Sequence, residues 1–276
     1  MIVTDVVSAE EFLRCNNYYR FSAYCLPFQS DRDVFIPGSS FEKVAELYLL
    51  DEELRLSMLR AISPVEIYLR TKAIYELSHG WGPFALYNRS LFRSSFKYDK
   101  WLEGVEEEIN RSKETFIKHY NGKYDGYPRL PIWMACEVMS MGSLSLLYSG
   151  LMPDPQRKIS SPFEVSHAVL VNWLHVITYI RNICAHHSRL WNRELAIRPE
   201  IPRKNKNWIN IGVENSRLYA FILMIEWMQN KAKMQTMSLD GIYQAVANIT
   251  AIDDRFARMM GIPQAHAIGP FWKQQK

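Results

Sequence analysis

The chain has 276 residues, 48% hydrophobic and 22% charged, with 33 Lys/Arg against 29 Asp/Glu for a formal net charge of +4. That is the composition of an ordinary soluble globular protein, long enough for one large core or two small domains. Four cysteines (Cys15, Cys25, Cys136, Cys184) without CxxC spacing exclude a disulfide-dense secreted scaffold and read as reduced thiols. The start MIVTDVVSAEEF lacks the basic and apolar runs of a signal peptide, and no stretch approaches ~18 uninterrupted apolar residues, so no membrane span is expected and the location expected is cytoplasmic.

Ser8-Ala9-Glu10-Glu11 reads as the capped entry to a short helix, with Ser8 as N-cap. In the aromatic run that follows (Tyr18, Tyr19, Phe21, Tyr24, Phe28) the i, i+3 spacings favour rings in the core over a platform for stacking nucleic-acid bases. Pro27 and Ser30-Asp31-Arg32-Asp33 mark a loop. Ser39 with Glu42 forms a capping box, and Val44, Leu47, Tyr48, Leu54, Met58, Leu59 and Ile62 recur behind it at helical spacing. The pattern resumes after Pro64 through Val65, Tyr68, Leu69, Ala73 and Leu77 and stops at Gly80, so a kink or break is expected at the proline. On this second segment Glu66 and Arg70 stand i, i+4. They are either a surface ion pair worth ~0.3 kcal/mol or a pair flanking the cleft described below.

The stretch from Gly80 to Lys97 reads as loop with room for a short helix. Another helix is expected from about Asp99 to Tyr120, with Glu107–Arg111 and Glu114–Lys118 at pairing distance on a solvated face. The adjacent acids Glu106, Glu107 and Glu108 point to different sides of such a helix and suit that face better than a metal. After the loop Asn121–Pro131, two short helices, Ile132–Met139 and Ser143–Leu151, are expected to pivot on Gly142. Glu137 is the one acid in that apolar block. It is expected to be buried beside a base, Arg181 being the candidate, because an unpaired buried carboxylate is strongly penalised by desolvation. Ser161 and Glu164 repeat the capping-box spacing. A helix then begins near Ser166 with Val169, Trp173, Val176, Ile177 and Ile180 as its buried stripe. Beyond Arg193 the chain is irregular through Pro199, Pro202 and Arg203-Lys204-Asn205-Lys206, then helical over about 215–233 and 239–250. The tail, with Pro263 and Pro270, reads as a loosely held extension. No internal repeat or β-hairpin signal is visible.

Chemistry concentrates at the end of the Ser166 helix, where Arg181, Asn182, His186, His187, Arg189, Trp191, Asn192 and Arg193 fall within thirteen residues. From Ser166 to Asn210, seven Lys/Arg face two acids, a local +5 that leaves −1 for the rest of the chain. The positive potential therefore sits where an anionic polymer would need it. At about 100° per residue Asn182 and His186 share a face, whereas Arg181 and His186 diverge by about 140°. The two aim at one atom only if the arginine stem wraps around, if the helix loosens near His186, or if a second copy supplies the partner group across a two-fold axis. The third arrangement makes a composite cleft suited to cutting RNA. A neutral imidazole, with an unperturbed pKa of ~6.5, can take the ribose 2′-hydroxyl proton, and a guanidinium suits the equatorial oxygens of the transition state. No metal is needed, and DNA, lacking the 2′-hydroxyl, is not a substrate. His175 and His186 lie near one face but too far apart to reach one zinc ion. Against all this stands a purely structural alternative, an elaborate C-terminal cap with cations at the negative helix end.

Arg181-Asn182-Ile183-Cys184-Ala185-His186 matches the R-N-x-x-x-H signature of the HEPN superfamily of metal-independent ribonucleases. The wider chain resembles the Abi-like (AbiD/AbiF) abortive-infection proteins of bacteria in four blocks taken in order: Cys15 to Phe28, Ser40 to Lys72, Leu130 to Tyr148 and Trp173 to Arg193. The resemblance implies an all-α fold, a multi-helix HEPN-like bundle with additional helices and loops. It implies one domain over 1–276 whose core includes 40–80 and 130–232, with 252–276 as a C-terminal extension. It also implies a ribonuclease-type site at a homodimer interface and a role in phage defence, with RNA as partner and no cofactor. On this reading His186 is the general acid/base, Arg181 steadies the phosphate and Asn182 holds the imidazole or the phosphate. Arg189, Asn192 and Arg193 contact RNA or lock the motif by packing, His187 is a bystander, Trp191 belongs to the core, and Glu66, Arg70 and Glu137 are candidates for the surrounding shell. A toxic nuclease needs restraint, so an antitoxin protein or small structured RNA is expected as a further partner. The alternative is a non-catalytic RNA-binding or regulatory module using the same basic cleft.

Overall fold

The computed structural model describes residues 1–202, 204–209, 211–234, 239–264, 266 and 268–269. The fold is all-α, as expected; its β-structure within the described residues is one two-stranded hairpin and two isolated bridges. Arg203 of the basic run, and Pro270 with the basic end, lie outside the described residues.

Helix α1 (Val6–Cys15) starts earlier than its Ser8 cap would place it. Asp5 is the N-cap, accepting the Ser8 N–H at 3.1 Å and the Ser8 hydroxyl at 2.6 Å, and its carboxyl is held below its ordinary range chiefly by the Ser8 hydroxyl. Helix α2 (Tyr18–Cys25) is capped by Asn17. The aromatic run divides there. Phe21, Tyr24 and Phe28, at helical spacing, are buried, while Tyr18 and Tyr19 stand in solvent. The expected loop at 30–33 is the tip of a small hairpin, β1 (Gln29–Asp31) and β2 (Val34–Phe35), with Asp33 left-handed at φ 60°. It escapes sequence reading because strands of three and two residues are too short to show an alternation.

Helix α3 (Phe41–Trp81) is the 41-residue axis of the molecule. Ser40, not Ser39, caps it through the Lys43 N–H, and Ser39 instead donates to the Phe28 carbonyl. No break occurs at Pro64. The proline withholds the N–H that would serve the Arg60 carbonyl, on an exposed residue, and the buried Gln229 side chain donates to the neighbouring Ala61 carbonyl at 2.8 Å from across the core. The helix ends one residue before Gly82, at φ +83°, rather than at Gly80.

The helix expected over 99–120 is two, α4 (Tyr98–Arg111) and α5 (Thr115–Lys123), separated where Ser112 turns extended. The Glu107–Arg111 and Glu114–Lys118 pairs are not formed among the described residues. Glu108 instead accepts from the Ser140 N–H and the Ser143 hydroxyl. Helices α6 (Ile132–Val138) and α7 (Met141–Gly150) pivot at Met139–Ser140, with Ser140 capping α7, so Gly142 lies inside the second helix. The proline-punctuated connection contains α8 (Pro153–Ser160). The Ser161–Glu164 box is not used as a helix cap, for Glu164 is left-handed at φ 53° and Ser166 caps α9 (His167–Ala185) through the Val169 N–H at 3.2 Å.

By length and composition α9 could cross a membrane, but it packs against α3, α7 and α8 inside the fold, with Val169, Leu170, Trp173, Leu174, Val176, Ile177, Ile180, Ile183 and Cys184 buried. After it come α10 (Lys206–Ile209), the core helix α11 (Leu218–Lys231), α12 (Asp240–Ile252), which lies along α3, and α13 (Arg255–Met259). Where a loose tail was expected, Phe256, Met260 and Ile262 are buried and the Met260 carbonyl accepts from the Tyr219 N–H. The four cysteines are free thiols, with Cys15 exposed and the others buried.

Candidate functional site

The motif helix ends by a Schellman turn. His187 N–H donates to the Cys184 carbonyl at 3.1 Å and Ser188 N–H to the Ile183 carbonyl at 3.0 Å, with His187 itself left-handed at φ 56°. His186 is the C-cap, its N–H still bonded to the Asn182 carbonyl at 2.9 Å. The last turn of α9 therefore stays helical up to His186 and reverses one residue later. Glycine usually takes that position; a histidine there accepts a backbone penalty.

Arg181, Asn182, His186 and His187 are exposed at this end. Arg181 Nη1 stands 3.5 Å from Asn182 Oδ1, and neither Arg181 nor His186 has an ion-pair partner among the described residues. The cations that follow differ. Arg189, half-buried, donates to the Ala23 carbonyl on α2, and burial pulls its guanidinium below its ordinary range. Arg193 Nε donates to the Arg189 carbonyl at 2.8 Å. Asn192 is half-buried, its carbonyl accepting from Arg217 at 3.3 Å. Trp191 is fully buried against Phe256, as expected, with ring centroids 4.7 Å apart. Of the two roles open to Arg189, Asn192 and Arg193, the contacts fit packing that locks the motif.

The three shell candidates make no hydrogen bond or ion pair to this end among the described residues. Glu137 is exposed on α6 and makes no ion pair with Arg181 among the described residues, so the expected buried partnership fails at its premise. Its position in an apolar block misled because that block is a short helix with one side in water. Glu66 and Arg70 do pair, at 3.0 Å and partly buried, and Arg70 also donates to the Met139 carbonyl at 3.1 Å. The pair fixes the α6–α7 corner and makes no hydrogen bond to Arg181, Asn182 or His186 among the described residues.

What sequence reading passed over is Asp51. This fully buried carboxylate accepts Arg55 Nη1 at 2.5 Å, Tyr24 Oη at 2.6 Å, the Trp191 N–H at 2.8 Å and the Leu190 N–H at 3.2 Å. Burial is the largest influence and leaves the carboxyl above its ordinary range, against the downward pull of Arg55, Tyr24 and the two N–H groups. Four donors converging on it favour the ionised form. Asp51 thus grips the backbone just beyond the Schellman turn, and Arg20 on α2 donates to the His187 carbonyl beside it. The clue was in the sequence. Asp51 falls on the stripe Leu47-Leu54-Met58 that must face the core, with a base one turn on. No group of three or more His, Cys, Asp or Glu among the described residues is arranged to hold a metal ion.

The family model described as Abi-like protein matches residues 11–192, a span running from α1 through this motif to Asn192. The chain belongs to the Abi-like protein family. That membership points to abortive-infection phage resistance. The matched span takes in both Asp51 and the segment it grips, Leu190 and Trp191. No curated protein and no solved structure matches the chain.

Proposed function

We propose that this Abi-like protein is a metal-independent endoribonuclease of the HEPN type, cutting RNA in an abortive-infection response. One observation carries the reading: at the end of α9 the side chains Arg181, Asn182 and His186 stay exposed, Arg181 and His186 without ion-pair partners among the described residues, while the cations just beyond them bind backbone carbonyls. Had the whole segment been a cap, Arg181 would also be drawn onto the fold.

In the reaction His186 takes the 2′-hydroxyl proton, the 2′-oxygen bonds to phosphorus and the P–O5′ bond breaks. The imidazolium returns the proton to the leaving oxygen, giving a 2′,3′-cyclic phosphate and a 5′-hydroxyl. Arg181 neutralises the charge gathering on the equatorial oxygens. Because the helix persists to His186, Arg181 and His186 remain about 140° apart in one chain. Two chains paired along this end of α9 would set the arginine of one against the histidine of the other. A homodimer with composite sites is therefore part of the proposal, as is a restraining partner, protein or RNA.

The test is RNA cleavage by the purified protein in EDTA, with the ends analysed for cyclic phosphate. His186→Ala and Arg181→Ala each abolish cleavage, and mixing the two inactive variants, after exchange of subunits, restores it. Cleavage by His186→Ala at the wild-type rate would refute the enzyme. Loss of cleavage without restoration on mixing would refute the composite site. The divergence of Arg181 and His186 within one chain favours a second reading, a non-catalytic RNA-binding module; it is the reading left if the wild-type protein binds RNA and never cuts it.

A further inference from the structure

Helix α2 leaves two aromatic rings where folding does not want them. Tyr19 is 84% exposed and Tyr18 66%, whereas Phe21, Tyr24 and Phe28 of the same run are buried. Exposed single apolar residues need no account. Two adjacent tyrosines at this exposure, on a helix braced from several sides, do.

The bracing is specific. Asn17 accepts the Tyr19 N–H at 2.9 Å, and Phe21 packs against Phe12, Phe41 and Tyr48. Arg20 donates to the His187 carbonyl, and Arg189 reaches back to the Ala23 carbonyl. Helix α2 is thus tied to the end of α9 by two hydrogen bonds, one from the residue next to Tyr19. On α2 Arg20 and Ala23 face the motif, and Tyr19 lies about 100° round from Arg20, on the solvent side of that contact. The two rings meet edge to face, centroids 5.8 Å apart and 69° between planes, which leaves ring faces open. Neither hydroxyl makes a hydrogen bond among the described residues.

From Tyr18 and Tyr19 a groove of about 880 Å³ runs past Ser22 and Leu26 to Asp31, Arg32 and Asp33 at the hairpin tip. Its near end is aromatic and its far end carries two aspartates against one arginine, Arg32, which pairs with Asp33, so it suits the bases of a strand better than its phosphates. The half-buried Arg20 follows Tyr19 directly in the chain.

We infer that Tyr18 and Tyr19 form a base-stacking shelf for an unpaired nucleotide flanking the bond to be cut, which makes single-stranded RNA the substrate class. This rests on the ribonuclease reading for the position of the cut. The stacking itself follows from the open ring faces, since every base has a π-face and paired bases do not offer theirs.

The experiment compares wild type, Tyr19→Ala, Tyr18→Ala/Tyr19→Ala and Tyr19→Trp on an unstructured RNA oligonucleotide and on the same sequence closed into a duplex. The rings are exposed, so the variants fold. Stacking lost at one base raises KM about 5- to 100-fold for Tyr19→Ala with kcat little moved. Tyr19→Trp stays near wild type, and the duplex is the poorer substrate. A KM within twofold of wild type for the double variant overturns the shelf. So does a double variant that becomes monomeric by light scattering, for the surface would then be a contact between copies. If wild type cuts nothing, the ribonuclease reading fails separately, and the shelf is decided by affinity for the same oligonucleotide. A loss of Kd in that range with Tyr19→Ala supports it, and an unchanged Kd overturns it.

Discussion

Replacing Asp51 with alanine removes one side chain from α3 and releases the chain beyond the motif, 139 residues away. The Arg55 guanidinium, 3% exposed, loses its only carboxylate, and breaking a buried pair in this way costs about 3–5 kcal/mol. The Leu190 and Trp191 N–H groups lose their acceptor, at about 1–3 kcal/mol for each buried donor left unpaired. These terms overlap, because water entering the vacated space serves several of the donors. The expected loss is therefore about 4 kcal/mol, a large fraction of the ~5–15 kcal/mol that holds a domain folded. In urea unfolding followed by tryptophan fluorescence, with a slope of about 3 kcal/mol/M, the midpoint falls by more than about 1 M. Asp51→Asn keeps the shape and one acceptor oxygen but loses the charge, and falls between wild type and alanine. A midpoint shift below about 0.2 M for Asp51→Ala would refute the reasoning, since it would mean the carboxylate merely fills space that water fills as well.

His187 holds a left-handed position that glycine adopts without strain, so His187→Gly raises stability by about 0.5–1 kcal/mol in the same assay. It should also leave RNA cleavage intact if His187 is a bystander; destabilisation would show that its side chain makes an interaction worth more than the strain. Glu42 accepts the Thr4 N–H at 2.9 Å and the Thr4 hydroxyl at 2.5 Å, chiefly the hydroxyl drawing its carboxyl from an ordinary 4.5 down to about 2. A depressed folded-state pKa means that the tether of the N-terminus is complete above pH 4.5 and is lost as pH falls through about 2. The Thr4 amide resonance should therefore titrate with a midpoint near 2, and not at all in Glu42→Gln; a midpoint near 4.5 would count against the bond.

How far the sequence could be read depended on the range of the interaction involved. Helix caps slipped by a residue or more, Asp5 for Ser8 and Ser40 for Ser39, because neighbouring polar side chains compete for the same N–H groups and only the chain's entry angle decides. Pro64 was expected to kink or break α3, and no break occurs. The helix runs on through it, with Ala61, Ile62 and Val65 packed in the core and the Ala61 carbonyl bound by Gln229 of α11, contacts invisible to any local window. Glu137 was expected to be buried because its neighbours are apolar, yet a short helix has two sides and the fold leaves that one in water.

The sequence by itself determined that the chain is helical, that α9 is a core helix, and that Arg181, Asn182 and His186 stand within two turns at its end; spacing along a helix is a local property, and apolar periodicity reports it. Only the tertiary structure decided which polar groups of that end are free. Arg189 and Arg181 are equally cationic in the sequence, but one finds the Ala23 carbonyl within reach and the other stays in solvent. Asp51 likewise looks like one more acid on a long helix until the chain folds its carboxylate against Leu190 and Trp191. The difference is made by backbone groups brought close from far along the chain, and a side chain carries no mark of which distant carbonyl or N–H it will meet.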